Sequence, residues 1–175
     1  MGSKNKLKRF EENETFVNVF QPTREEVVSD SFALKGKWNS DFFKNDNPIV
    51  LELGCGKGEY SVGLAQLNPN QNFIGIDVKG ARFWRGAKTA VDTGMNNVAF
   101  IRTQIELINH IFADNEVSEI WITFPDPQIK YKRTKHRMTN SEFLQNYKKV
   151  LKQDGLMHLK TDSECMHGYT LGLLH

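Results

Sequence analysis

Past a polar first 47 residues, apolar positions fall into short runs separated by longer amphipathic stretches. Pro48-Ile-Val-Leu-Glu-Leu-Gly54 is an apolar run closed by glycine, the signal of a buried strand. A helical stretch from about Glu59 to Gln66 follows, and Asn72-Phe-Ile-Gly-Ile-Asp77 reads as a second strand. Residues 79–93 have helical spacing and stop at Gly94, a residue suited to a left-handed cap. Val98–Arg102 is a third strand signal, Ile105–Ile111 a short helix and Glu119-Ile-Trp-Ile-Thr-Phe124 a fourth strand. After a basic, proline-bearing loop at 125–139, Ser141 is placed to cap a helix to about Lys152, which Gly155 ends. Leu156–Thr161 is the fifth strand signal. Strands alternating with helices imply βαβ units with right-handed crossovers. The predicted fold class is therefore α/β, with a doubly wound, mostly parallel sheet over 48–175 and a polar, basic extension over 1–47.

Composition narrows the class without naming it. A chain of 175 residues suits one domain. With 39% hydrophobic and 25% charged residues it has the balance of a globular protein. No run reaches the ~18–20 apolar residues of a membrane span, so no membrane partner is expected. Cys55 and Cys165 stand in unrelated contexts, which predicts a reduced, cytoplasmic protein that requires no metal. The net charge of +2 conceals an asymmetry. Lys4, Lys6, Lys8 and Arg9 cluster at the start, and Lys130, Lys132, Arg133, Lys135 and Arg137 cluster in the proline-bearing loop. Setting those nine aside leaves 14 basic and 21 acidic residues, a net of −7. Bases concentrated on an acidic body suit a polyanionic partner, although a frayed, solvated terminus would carry the first cluster equally well.

Candidate chemistry begins after the first strand, where ligands of such sheets bind. In Glu52-Leu-Gly54-Cys-Gly56-Lys-Gly58, glycine occupies every second position. Gly54 and Gly56 permit a tight turn and a close backbone approach to a ligand, and Gly58 lets the next helix pack on the sheet. A dinucleotide fingerprint would need glycine at position 59, where Glu59 stands and would repel a pyrophosphate. Asp77, closing the second strand, can accept the two hydroxyls of a ribose. Glu52 lies inside an apolar run, so it must meet a donor or a cationic ligand. An acid, a glycine loop and a ribose acid without a phosphate cradle point to S-adenosyl-L-methionine.

Phe124-Pro125-Asp126-Pro127 follows the fourth strand. Two prolines fix the backbone around one carboxylate, the rigid presentation that positional catalysis requires, although Pro-Asp-Pro also makes a plain turn. The loop continues with Lys130, Lys132, Arg133, Lys135 and Arg137 around Tyr131 and His136. Bases interleaved with aromatic rings suit phosphate and nucleobase contacts. His110, His158 and His167 lack ligand spacing and read as structural or surface residues, and Trp38, Trp84 and Trp121 as packing residues.

On these residues the chain resembles a known family. Glu52–Gly58 is similar to the first motif of class I S-adenosylmethionine-dependent methyltransferases. Phe124-Pro-Asp-Pro127, the basic run ending Arg137-Met-Thr139, Phe143-Leu144 and Lys160-Thr-Asp162 together resemble the tRNA (guanine-N7-)-methyltransferase family. The likeness covers roughly 49–162. It implies a Rossmann-like sheet, and cofactor-binding positions at Glu52, Gly54, Gly56, Gly58, Asp77, Gln104 and Asp126. It further implies a catalytic position at Asp126 and substrate positions at Lys130 and Asp162, to which the basic run adds Lys132, Arg133 and Arg137. Two departures stand out: the family commonly has Trp where Gln128 stands and an acid where Gln104 stands.

The activity implied is methyl transfer from S-adenosyl-L-methionine to N7 of a guanine in tRNA. Methylation of another RNA, or RNA binding by a non-catalytic subunit of the same fold, are the alternatives. The oligomeric state, monomer or homodimer, is open. The resemblance also implies seven strands, against five strand signals here. The expectation is thus a longer protein whose last two strands, in a tail of ~40 residues, cover the fifth strand.

Overall fold

Alternation along the strands builds a two-faced core. In the strand Ile49–Leu53 (β2) all five residues are buried. Ile49, Leu51 and Leu53 face one apolar layer while Val50 faces another, as the two-residue period of a strand requires. The same split recurs in Asn72–Asp77 (β3) and Val98–Arg102 (β4), where Ile74, Ile76, Ala99 and Ile101 oppose Phe73, Val98 and Phe100. The structure, a computed structural model, describes residues 2–174. With Val19–Phe20 (β1), Val117–Thr123 (β5) and Leu151–Lys160 (β6), the strands make an all-parallel sheet in the order β1-β4-β3-β2-β5-β6. Its helices are Gly2–Thr15 (α1), Arg24–Val28 (α2), Glu59–Leu67 (α3), Gly80–Asp92 (α4), Ile108–Ile111 (α5), Ser141–Val150 (α6) and Glu164–Leu174 (α7). No helix among the described residues is long and apolar enough to cross a membrane.

The predicted α/β, doubly wound, parallel sheet is observed, with one strand more than the sequence signals gave. That strand is β1, from the 1–47 segment, where no element was expected. Val19 and Phe20 pair with Phe100 and Ile101. A π-helical turn over Trp38–Phe43 buries Trp38 completely. Its indole N–H donates to the Ile111 carbonyl at 3.2 Å and its ring stacks on Phe112. Residues 19–20 and 38–43 are therefore packed on the body rather than trailing from it.

Two boundaries also differ from expectation. Asn140, not Ser141, caps α6, its side chain accepting from the Phe143 N–H at 2.9 Å. The helix ends at Val150 and the chain enters β6 directly. Gly155 stops no helix: it lies inside β6, where the register with β5 shifts, and a Cβ there would come within 2.9 Å of the Lys152 carbonyl oxygen. β6 forms one edge of the sheet, with Leu156 and Met157 exposed.

Close approach of α3 and α4 to the sheet depends on Gly58 and Gly86. Both border the buried Phe100 ring, itself stacked on Phe83. A Cβ on Gly86 would lie 2.9 Å from the Lys57 carbonyl and from Phe100. Gly63, in α3, faces open space instead. Gly86→Ala should accordingly lower stability by ~1–3 kcal/mol through overpacking. Gly63→Ala should raise it by ~0.5–1 kcal/mol through helix propensity. Urea unfolding of the two variants checks the contrast.

Candidate active site

The chain leaves β2 outward through β3 and β4, then crosses to β5 and β6 on the other side. The crevice of such a sheet therefore opens beyond the carboxyl ends of β2 and β5. Glu52 and Thr123 stand there, and the Thr123 hydroxyl donates to Glu52 Oε1 at 2.7 Å. From α3, the Ser61 N–H and hydroxyl both donate to Glu52 Oε2, at 2.9 and 2.5 Å. Glu52 is buried, with 4% exposure. The donors that the sequence demanded for this carboxylate thus come from the protein itself. Burial still pushes the carboxyl above its ordinary 4.5, outweighing the hydrogen bonds from Ser61 and Thr123.

The glycine loop turns left-handed three times, with φ of +71° at Gly54, +56° at Gly56 and +73° at Gly58. Only glycine adopts such a run without strain. The Gly54 N–H donates to the Ile76 carbonyl at 2.8 Å and the Gly56 N–H to Asp77 Oδ2 at 3.0 Å. Asp77 Oδ1 accepts from the Lys79 N–H at 2.8 Å. Each oxygen of this carboxylate keeps a lone pair for a further donor. α3 begins with Glu59 in its first turn, so this helix end offers no cradle for phosphate. Cys55 is buried, and burial first, then the neighbouring Glu52, drives its thiol well above the ordinary range. It remains a protonated packing group.

Beside Asp77, a cleft of about 370 Å³ runs between Val78 and Gln104. Gln104 Oε1 accepts from Arg24 Nη1 at 2.7 Å. Because a guanidinium only donates, that contact fixes which face of the amide is used. Arg24 comes from the N-terminal segment and had no signal in the sequence.

Across the crevice, Phe124-Pro-Asp-Pro127 is more tightly constrained than two prolines require. Phe124 and Gln128 on either side both have φ of +47°, an uncommon region for residues other than glycine. The Phe124 N–H is held by the Lys160 carbonyl at 2.7 Å, and the Lys160 ammonium lies 5.4 Å from the Phe124 ring. Asp126 is exposed, and its Oδ1 accepts from the Gln128 N–H at 3.1 Å. Met138 reaches back over the glycine loop, its Cε 3.6 Å from where a Cβ on Gly54 would sit. The two loops that the sequence marked are therefore neighbours.

The basic run divides. Lys130, Lys132 and Arg133 are exposed, as a phosphate-gripping role needs. Arg137 is not: only 7% exposed, it donates through Nε to the Pro127 carbonyl at 3.2 Å and through Nη2 to the Gln128 carbonyl at 3.3 Å. Its guanidinium lies 4.3 Å over the Tyr169 ring. Arg137, expected as a substrate contact, braces the proline loop from beneath, its guanidinium donating to the carbonyls of the strained turn. Asp162 is exposed just before α7. Among the described residues, no group of three or more His, Cys, Asp or Glu is placed to hold a metal ion.

Comparison with known proteins agrees with this geometry. Residues 46–174 match the family described as "Putative methyltransferase". In fold, the chain is similar to the aminoglycoside resistance methyltransferase NpmB1, with a TM-score of 0.59 at 19% identity over 89% of this chain and 70% of that one. It is also similar to a 16S rRNA (adenine(1408)-N(1))-methyltransferase from Catenulisporales acidiphilia solved with cosubstrate SAM, with a TM-score of 0.54 at 14% identity over 79% and 62% of the two chains. The architecture is that of a Rossmann-like methyltransferase. In sequence, the chain is 78% identical over 175 residues to the tRNA (guanine-N(7)-)-methyltransferase of Christiangramia forsetii, spanning 78% of that protein. It is 54% identical over 167 residues to the one from Bacteroides fragilis, spanning 95% of this chain and 66% of that protein. The chain belongs to the tRNA (guanine-N(7)-)-methyltransferase family.

Glu52 gives a pH test of the site. A carboxyl whose pKa is raised on folding adds stability below its ordinary value, and that contribution is lost as pH rises through the folded value. Glu52→Gln cannot titrate. Urea midpoints between about pH 4 and 8 should therefore shift in favour of the variant, relative to the parent, as pH rises. A difference constant across that range would show that Glu52 is not held with a raised pKa.

Proposed function

We propose that this protein transfers the methyl group of S-adenosyl-L-methionine to N7 of a guanine in tRNA, and that it does so in the cytoplasm. The observation that carries the reading is the meeting of the Asp77–glycine loop with the strained Asp126 loop at one crevice, in a chain of this family. The residues present fit the cofactor. Asp77 has free lone pairs for ribose hydroxyls, the left-handed glycine turn leaves room at the backbone, and Gln104 offers an amide beside the cleft. When bound, S-adenosylmethionine supplies an electrophilic methyl on a sulfonium.

The protein's own work is positioning and charge. N7 of guanine has an in-plane lone pair and no proton, so no base is needed to expose the nucleophile. Glu52 keeps the ends of β2 and β5 and the start of α3 in fixed relation, the alignment on which a displacement depends. Asp126, the proposed catalytic residue, faces the positive charge that grows on the purine. Lys130, Lys132 and Arg133 grip phosphates of the substrate, and Asp162 contacts it from the start of α7.

Incubating the protein with S-adenosylmethionine and bulk tRNA, then identifying the methylated nucleoside, tests the reading directly. 7-Methylguanosine is expected, and another nucleoside or none would overturn it. In calorimetry, Asp77→Ala should weaken cofactor binding by ~1.5–3 kcal/mol, the range for charge-assisted hydrogen bonds. Asp126→Asn should depress the single-turnover rate more than it weakens tRNA binding. An intact rate in a folded Asp126→Asn protein would remove Asp126 from the catalytic role.

A further inference from the structure

The other basic cluster of the sequence, at the chain start, has a place in the fold that the reaction above does not use. α1 is fixed on α4 by specific contacts: the Asn13 amide donates to the Gly80 carbonyl at 3.0 Å and the Trp84 indole N–H to Glu12. Lys8 pairs with Glu12 at 3.8 Å and is accounted for, and the side chain of Lys4 lies outside those described. Lys6 and Arg9 remain. They meet Lys79, Arg82 and Arg102 around a cleft of about 330 Å³ between α1 and the start of α4.

All five cations are exposed, none of the residues lining the cleft is acidic, and no salt bridge among the described residues involves them. Two of them are pre-set. The Arg9 guanidinium lies 4.7 Å over the Trp84 ring and that of Arg102 lies 5.0 Å from the Phe10 ring. A ring accepts no conventional hydrogen bond, so Arg9 keeps its N–H groups for phosphate oxygens, whereas Arg102 donates one, Nε–H, to the Val78 carbonyl at 3.4 Å and keeps those of its two Nη atoms. Five like charges around one cleft repel each other until an anion enters.

We infer that this cleft is a second phosphate-binding surface for the RNA substrate, formed by the N-terminal helix with the ends of β3 and β4. The inference rests on the tRNA reading above. Val78 and Arg102 line both this cleft and the one beside Gln104, so its occupant lies next to the cofactor end of the crevice. Lys130, Lys132 and Arg133 follow β5, on the opposite side of β2. From β4 to β5 is three strand spacings, about 14 Å, a distance that a few nucleotides of one RNA strand span. The two basic surfaces therefore flank the crevice, and a backbone held on both is held across it.

The test measures binding of unmodified tRNA to the full chain at several salt concentrations, using Lys6→Gln/Lys79→Gln. This pair removes two charges and leaves the stacked arginines in place. Losing two phosphate contacts should raise the tRNA Kd about tenfold or more near 0.15 M salt and flatten the log–log salt slope by ~1.5–2. Cofactor affinity in calorimetry, and the methylation rate at saturating tRNA, should stay unchanged, because Lys79 serves Asp77 through its backbone N–H, which the substitution keeps. An unaltered tRNA Kd and slope, while Lys132→Gln/Arg133→Gln weakens binding, would overturn the cleft and leave the tRNA reading intact. A parent that neither binds nor methylates tRNA would overturn the reading itself. Loss of tripolyphosphate binding in the Lys6→Gln/Lys79→Gln protein without loss of tRNA binding would make the cleft a small-anion site and also overturn the inference.

Discussion

The arrangement of the site depends on one buried carboxylate. Glu52 sits where β2 ends, and its oxygens are divided between two neighbours: Oε2 to Ser61 at the start of α3 and Oε1 to Thr123 at the end of β5. A carboxylate out of water is unfavourable unless its lone pairs are satisfied. Here three donors satisfy them and still leave the ionised form disfavoured. The geometry is held for that reason: letting go of either partner would leave charge unpaired in the interior. The residue after Thr123 is Phe124, so the same bonds that close the glycine loop also anchor the proline loop.

From that anchor the strain in the proline loop becomes intelligible. A left-handed Phe124 and Gln128 are each costly, on the order of 1–3 kcal/mol. They persist because the surroundings over-determine them. Lys160 holds the backbone at Phe124, and Arg137, buried beneath, donates to the carbonyls of Pro127 and Gln128. The Asp126 side chain then projects from a segment with little freedom left. Rigidity is the contribution that a reaction without an obligatory base asks of its enzyme.

How far this was legible follows from how local each signal is. β2, β3 and β4 and the turn at Gly94 were readable because period-two runs and glycine caps are properties of a few adjacent residues. β1 and the Trp38 turn were not. Val19, Phe20, Trp38, Phe42 and Phe43 are scattered through a polar segment and become a pattern only when the sheet edge and Phe112 are there to receive them. Glu52 was legible as a residue that needed donors, but Ser61 and Thr123 lie 9 and 71 residues away and nothing in the sequence pairs them. The bracing role of Arg137 was not legible for the converse reason. Within a run of bases it reads as one more solvated charge, and its partners are backbone carbonyls, which carry no signature in sequence. Arg24 on Gln104 is a contact between segments 80 residues apart, and position 104, where the family commonly has an acid, is one where local motif reading has least to say.

Charge is distributed over the site in a way that matches the proposed chemistry. Glu52, Asp77 and Asp126 cluster at the ends of adjacent strands, while two sets of exposed cations lie to either side: Lys6, Lys79 and Arg102 toward β4, and Lys130, Lys132 and Arg133 beyond β5. A centre of carboxylates alone would repel a polyanion, and a centre of cations would oppose the growth of positive charge on a purine. Separating the two resolves the conflict. In the proposed reaction the flanks attract and orient the phosphate backbone over a distance set by the Debye length, ~8 Å at physiological salt. The centre, in the same proposal, acts over hydrogen-bonding distances on the base and the sulfonium. On the proposed function, binding strength and rate are carried by different residues, so that salt governs the first and the Asp126 loop the second.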